Sequence, residues 1–318
     1  MPRKNVMSMA LDPKVKELLT AIAAAGLPSI DSIPLEAVRE MVEKGYAAMR
    51  IPVMAVGSIR NRSFSISDGK IDVRIYIPRG EGPFPVMVFF HGGGWVLFHL
   101  DAYDPICSHI CALAGIIVVS VEYRLSPEYK FPLATDDCLE ATRWTAKHCR
   151  EWNGDPFRIF LAGDSAGGNL AAVTAMRIRD EGGPDIRGQV LIYPATDYYE
   201  PEKPSYVEFA AGYNLSMDDM KWFWKMYLHN KEDAKNPIAA PLLAADLSGL
   251  PPALVIVSGF DPLRDEGIAY ADRLKKSGIL VRLSVYEEMI HGFLSYLGIL
   301  KQAKTAIEEI SGWLNERI

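Results

Sequence analysis

From residue 71 to residue 286 the chain alternates short apolar runs with segments long enough for a helix. The runs fall at 71–77 (IDVRIYI), 85–90 (PVMVFF), 116–122 (IIVVSVE), 158–162 (RIFLA), 188–192 (GQVLI), 253–258 (ALVIVS) and 281–286 (VRLSVY). Helix-length stretches such as 134–150 and 166–181 separate most of them. Strand and helix in alternation bury their apolar faces as a mainly parallel sheet with helices on both sides. Several runs are apolar at every position, as in strands covered on both faces. The predicted class is therefore α/β.

Two regions depart from the alternation. The first fifty residues read as helices at 12–25 and 34–49. Asp12 would be the N-cap of the first, Pro13 its first residue and Gly26 its stop, with Pro28 beyond. The apolar stretch 18–27 (LLTAIAAAGL) belongs to that helix rather than to a leader, because Asp12 and Glu17 precede it. Residues 196–235 follow a strand yet contain none. They hold SMDDMKWFWKMYL, a helix with Ser216 as N-cap and Asp219 three residues on. Met217, Met220, Phe223, Trp224, Tyr227 and Leu228 recur at helical spacing.

Composition excludes several roles. A net charge of −6 offers no basic face to nucleic acid or anionic lipid. No stretch reaches the length of a membrane span. Four cysteines without a CxxC pair point to reduced core thiols and a cytoplasmic location. Cys107, His109 and Cys111 fall short of the four ligands of a tight zinc site, and no metal is expected.

The chemistry centres on Ser165, in Gly163-Asp164-Ser165-Ala166-Gly167 between an apolar strand and a helix. A serine on so sharp a turn has its hydroxyl pushed above the sheet, and side chains at 163 or 167 would collide with neighbouring backbone. The helix N-terminus behind it favours developing negative charge. Serine needs a base. His291, in EEMIHGFLSY after the last run, would share the sheet edge with Ser165, because parallel strands end on one side. A carboxylate must orient the imidazole. Asp261 comes straight off the 253–258 run, with Asp265 as the alternative; Asp265 and Glu266 fall in the first turn of the next helix. The order Ser165, Asp261, His291 is that of α/β-hydrolases. FFHGGGWV at 89–96 supplies bare amides for an oxyanion hole, assigned to Gly93, Gly94 and Ala166. It lacks the lysine and the glycine frame of a phosphate loop.

With these residues in place, the chain resembles the bacterial hormone-sensitive-lipase-like carboxylesterases of the α/β-hydrolase fold. The similar blocks are HGGGW (91–95), YRLSPEYKFPLA (123–134), GDSAGGNL (163–170), DPLRDEG (261–267) and HGF (291–293). The resemblance implies Ser165, Asp261 and His291 as a triad and a helical cap over the site. The domain division expected is 1–50 as N-terminal cap helices, 51–195 as the first part of the catalytic core, 196–232 as the cap insertion and 233–318 as the second part of the core. It also implies hydrolysis of short- to medium-chain esters without a cofactor, and a possible homodimer through the last strand. An amidase, lactonase or deacetylase would use the same triad. A non-catalytic receptor of the same fold would lack the histidine that is intact here. Phe98 and His99 stand where the family usually carries Gly-Ser, and Ser126, Tyr129 and Lys130 replace its commoner Ala, His and Pro.

Overall fold

The structure is a computed structural model describing residues 10–318. Its eight strands are β1 (Ser58–Ile66), β2 (Gly69–Ile77), β3 (Phe84–Phe90), β4 (Ile117–Glu122), β5 (Gly154–Asp164), β6 (Ile186–Ile192), β7 (Ala253–Phe260) and β8 (Val281–Ile290). They form one sheet in the order β1-β2-β4-β3-β5-β6-β7-β8. β1 and β2 pair antiparallel, as do β2 and β4; every later pair is parallel.

The helices are α1 (Pro13–Ala24), α2 (Leu35–Met49), α3 (Leu100–Ala114), α4 (Leu133–His148), α5 (Ala166–Glu181), α6 (Pro204–Glu208), α7 (Met217–Tyr227), α8 (Arg264–Lys276) and α9 (Lys301–Asn315). All seven residues of β3 and all eight of β7 are buried. Alternate side chains serve two cores: Val86, Val88 and Phe90 pack with α4 and α5, while Met87 and Phe89 pack with α3 and α9. That double burial is why these runs are apolar throughout. Cys107 and Cys111 are buried fillers on α3, their thiols pushed up by burial.

β1 has no counterpart among the predicted strands. Its sequence SIRNRSFSI is mostly exposed, and it bonds β2 alone at the sheet edge. One clue was present: Ile66 pairs with Gly69 across Ser67-Asp68, a tight turn ending in Asp-Gly. β8 also outruns its predicted end, continuing to Ile290 through an irregularity opposite Gly259, where any side chain would overlap the Glu287 carbonyl.

α7 begins with the capping box predicted for it: Ser216 and Asp219 exchange side-chain-to-backbone bonds. It ends on Lys130, whose ammonium donates to the carbonyls of Lys225 (3.0 Å), Met226 (2.8 Å) and Leu228 (2.7 Å). A cation there satisfies orphan carbonyls and complements the helix dipole. Lys130, one of the departures from the family pattern, therefore anchors this helix. Val38 of α2, Val96 and Leu97 after β3, and Trp222 of α7 form a third small core.

The insertion between β6 and β7 is tied down by Glu266. This fully buried carboxyl accepts from the amides of Thr196 (2.6 Å) and Asp197 (3.3 Å) and from the Tyr206 hydroxyl. It does lie in the first turn of α8, but its partners belong to the insertion. Burial pushes its pKa up to about 8 from an ordinary 4.5. An acid kept neutral by the fold costs stability as pH climbs from its unfolded value to its native one, by up to about 1.4 kcal/mol per pH unit. Glu266→Gln keeps an acceptor for the two amides and removes the titration. Thermal melts between about pH 5 and pH 8 should show the wild-type Tm falling more steeply than that of the variant.

Candidate active site

Ser165 joins β5 to α5 with φ 55° and ψ −119°. Its amide donates to the Ile192 carbonyl (2.8 Å), and its carbonyl accepts from Asn169 (3.0 Å) and Ala195 (3.1 Å). A side chain at 163 would overlap the Gly167 carbonyl; one at 167 would overlap those of Phe90 and His91. The turn is thus pressed against β3 and the first turn of α5, and only glycine fits beneath it.

β7 and β8 end beside β5 and β6 at the same sheet edge. Asp261 follows β7 and His291 follows β8. His291 Nδ1 stands 2.7 Å from Asp261 Oδ2, and its Nε2 stands 2.9 Å from Ser165 Oγ. Asp261 is fully buried, and its second oxygen accepts from the Leu263 amide (2.8 Å). Asp265, the alternative carboxylate, is engaged elsewhere: it accepts from the Ser205 amide (2.9 Å) and pairs with Arg264 (2.9 Å). The Tyr193 ring stands edge-on to His291, centroids 4.9 Å apart. An imidazole that hydrogen-bonds a buried carboxylate at one nitrogen and a hydroxyl at the other can move a proton off that hydroxyl.

The glycine loop divides its labour. The Gly92 amide donates to Asp164 Oδ1 (2.9 Å) and to the Tyr103 hydroxyl (2.8 Å). Gly93 and Gly94, at φ 101° and 60°, line the cavity with Ala166. Ala166 opens α5, where a backbone N–H has no partner within the helix. Asp164 had no role in the sequence reading, although it sits in the nucleophile motif itself. It is buried, also accepts from Tyr103 (3.1 Å), and burial raises its pKa to about 6. His91, fully buried and stacked on Tyr123, is pushed down to about 4 by burial. It is neutral and belongs to the floor of the loop.

A cavity of about 280 Å³ opens above Ser165. Tyr46 reaches it from α2, and Met220, Phe223 and Trp224 reach it from α7. Phe98 also lines it, at φ 74°, a conformation glycine adopts without cost. Its ring rests on that of Tyr46, centroids 4.7 Å apart. His99 takes over the N-cap of α3, its Nδ1 accepting from the Asp101 amide at 3.3 Å. The Phe-His pair therefore keeps the turn and the cap while putting an aromatic ring into the cavity.

The model of the alpha/beta hydrolase fold family matches residues 87–295. Carboxylesterase NlhH of Mycobacterium tuberculosis is 41% identical over 313 residues, 96% of each chain. Carboxylic ester hydrolase LipN of the same organism is 44% identical over 233 residues, which are 71% of this chain and 62% of LipN. Among solved structures, the hyperthermophilic esterase from the archaeon Pyrobaculum calidifontis matches with a TM-score of 0.94 and 38% identity, over 97% of this chain and 99% of that one.

Gly167→Ala tests the packing beneath the Ser165 turn. A methyl group forced against backbone carbonyls cannot be relieved by a rotamer change, so the variant should lose at least about 1–3 kcal/mol, read by urea unfolding. An unchanged midpoint would show that the turn has slack.

Proposed function

The chain belongs to the alpha/beta hydrolase family, and on that premise we propose that it is a serine carboxylesterase with Ser165, His291 and Asp261 as its catalytic relay. The observation carrying this reading is the unbroken chain of contacts from Ser165 Oγ through the His291 ring to Asp261, at 2.9 and 2.7 Å. Ser165 attacks the ester carbonyl while His291 Nε2 takes the hydroxyl proton. The resulting oxyanion is met by the amides of Gly93, Gly94 and Ala166. His291 then passes the proton to the departing alkoxide, leaving an acyl-serine. A water, deprotonated by the same nitrogen, adds to the acyl carbon; the C–O bond to Ser165 breaks, and the proton returns to Oγ. Asp261 fixes the ring and stabilises its transient positive charge.

The N-terminal helices and the insertion at 196–232 act as the cap in this reading. Their apolar side chains exclude water from the acyl group and favour short to medium chains. Four buried free cysteines fit a cytoplasmic location. Edge strand β8, which carries exposed Val285, is the surface on which two copies would pair.

Ser165→Ala should lower kcat on p-nitrophenyl butyrate by about 10⁴-fold or more, and Asp261→Asn by about 10⁴-fold through loss of the correct ring tautomer. Stopped-flow or steady-state release of nitrophenolate measures both. Near-normal turnover in the serine variant overturns the assignment.

A further inference from the structure

The reaction fixes which side of the cavity takes which half of the ester. His291 must hand its proton to the departing alkoxide, so the alcohol half lies on the His291 side of Ser165 and the acyl half opposite.

Part of the cavity lining is hydrocarbon and aromatic: Ala195, whose amide is bonded to the Ser165 carbonyl, Leu215, Met220, Phe223 and Leu263. The Phe223 ring lies so close over Gly94 that a side chain there would overlap it.

The His291 side carries hydrogen-bonding groups. Asn214 donates from Nδ2 to the His291 carbonyl (3.1 Å), and its Oδ1 lies 3.5 Å from the Tyr296 hydroxyl. Ser295 and Tyr296 follow the histidine on a short 3-10 helix, Phe293–Tyr296. Tyr46 comes across from α2 with its hydroxyl towards Ser295. All four residues line the cavity. Burial holds the Tyr46 and Tyr296 phenols well above their ordinary range, Tyr296 at about 12, so both remain donors at neutral pH.

This polar wall is held in place at a cost. Phe98 supports the Tyr46 ring from a left-handed backbone conformation that a phenylalanine adopts only under constraint. Asn214 is also left-handed, at φ 72°, a conformation asparagine takes readily.

We propose that the esters this protein turns over best carry a hydroxyl on the alcohol half, a few atoms from the ester oxygen, received by Tyr46, Ser295, Tyr296 and Asn214. The inference rests on the carboxylesterase reading. A substrate hydroxyl exchanges hydrogen bonds with this wall, whereas a methyl in its place leaves polar groups facing carbon, a mismatch enzymes discriminate strongly.

The test compares 3-hydroxypropyl butyrate with butyl butyrate on the full-length chain by titration of the released acid. The two esters share the acyl group and differ only by a hydroxyl in place of a terminal methyl. The expected result is a kcat/KM at least tenfold higher for the hydroxylated ester. That ratio should fall towards one in Tyr46→Phe and, separately, in Ser295→Ala. Equal turnover of the two esters by the wild type, or a preference for butyl butyrate, overturns the inference while leaving the carboxylesterase reading standing. So does a ratio unchanged in both variants. Absence of turnover on both esters and on p-nitrophenyl butyrate overturns the two readings together. The wild-type comparison decides even where a variant fails to fold.

Discussion

At Ser165 an L-residue is held at φ 55° between a strand and a helix, in a conformation that costs of order 1–3 kcal/mol. It persists because both sides of its peptide are bonded to what surrounds it: the amide to the end of β6, the carbonyl to Asn169 and Ala195. The glycines at 163 and 167 let β3 and α5 press in from below. A freer serine would fold back into the helix that follows it. Because the turn cannot relax, its hydroxyl stands at the sheet edge where β7 and β8 also deliver their terminal side chains.

The turn is tied to the loop after β3 through Asp164. Its two oxygens receive the Gly92 amide and the Tyr103 hydroxyl, and Tyr103 itself bonds Gly92. One buried knot thus joins the Ser165 turn, the glycine loop and α3. The proposed nucleophile and the proposed oxyanion donors sit on two backbone segments that this knot ties together. Asp261 is equally enclosed, with the Leu263 amide on one oxygen and His291 on the other.

How much of this the sequence disclosed follows from where each residue sits. Central strands are buried on both faces and advertise themselves as unbroken apolar runs; β1 is a polar edge strand whose one clue was an Asp-Gly turn. The triad candidates were legible because they follow predicted strands, and topology alone brings parallel strand ends together. The choice between Asp261 and Asp265 turned on a few residues of offset, and the structure gives Asp265 to Ser205 and Arg264. Glu266 and Lys130 stayed illegible. A buried acid that ties down an insertion and a lysine that caps a helix from across the fold depend on partners 60 or more residues away in sequence, and no local pattern encodes them.

The elements that shape the cavity are held differently from those that carry the proposed relay. α1 and α2 each bury one residue fully, Val15 and Val38, whereas β7 is buried along its whole length. Few buried contacts mean a low local opening energy, so α2, with Tyr46 on it, can move while the sheet edge stays fixed. Arg39 limits that freedom, bonding the Val96 and Ser126 carbonyls and pairing with Glu128. Asn214 is the exception to the separation. It belongs to the insertion, yet it donates to the carbonyl of His291 itself. Displacement of the insertion at that point reaches the histidine directly, so the insertion and the position of the proposed base are mechanically coupled at Asn214.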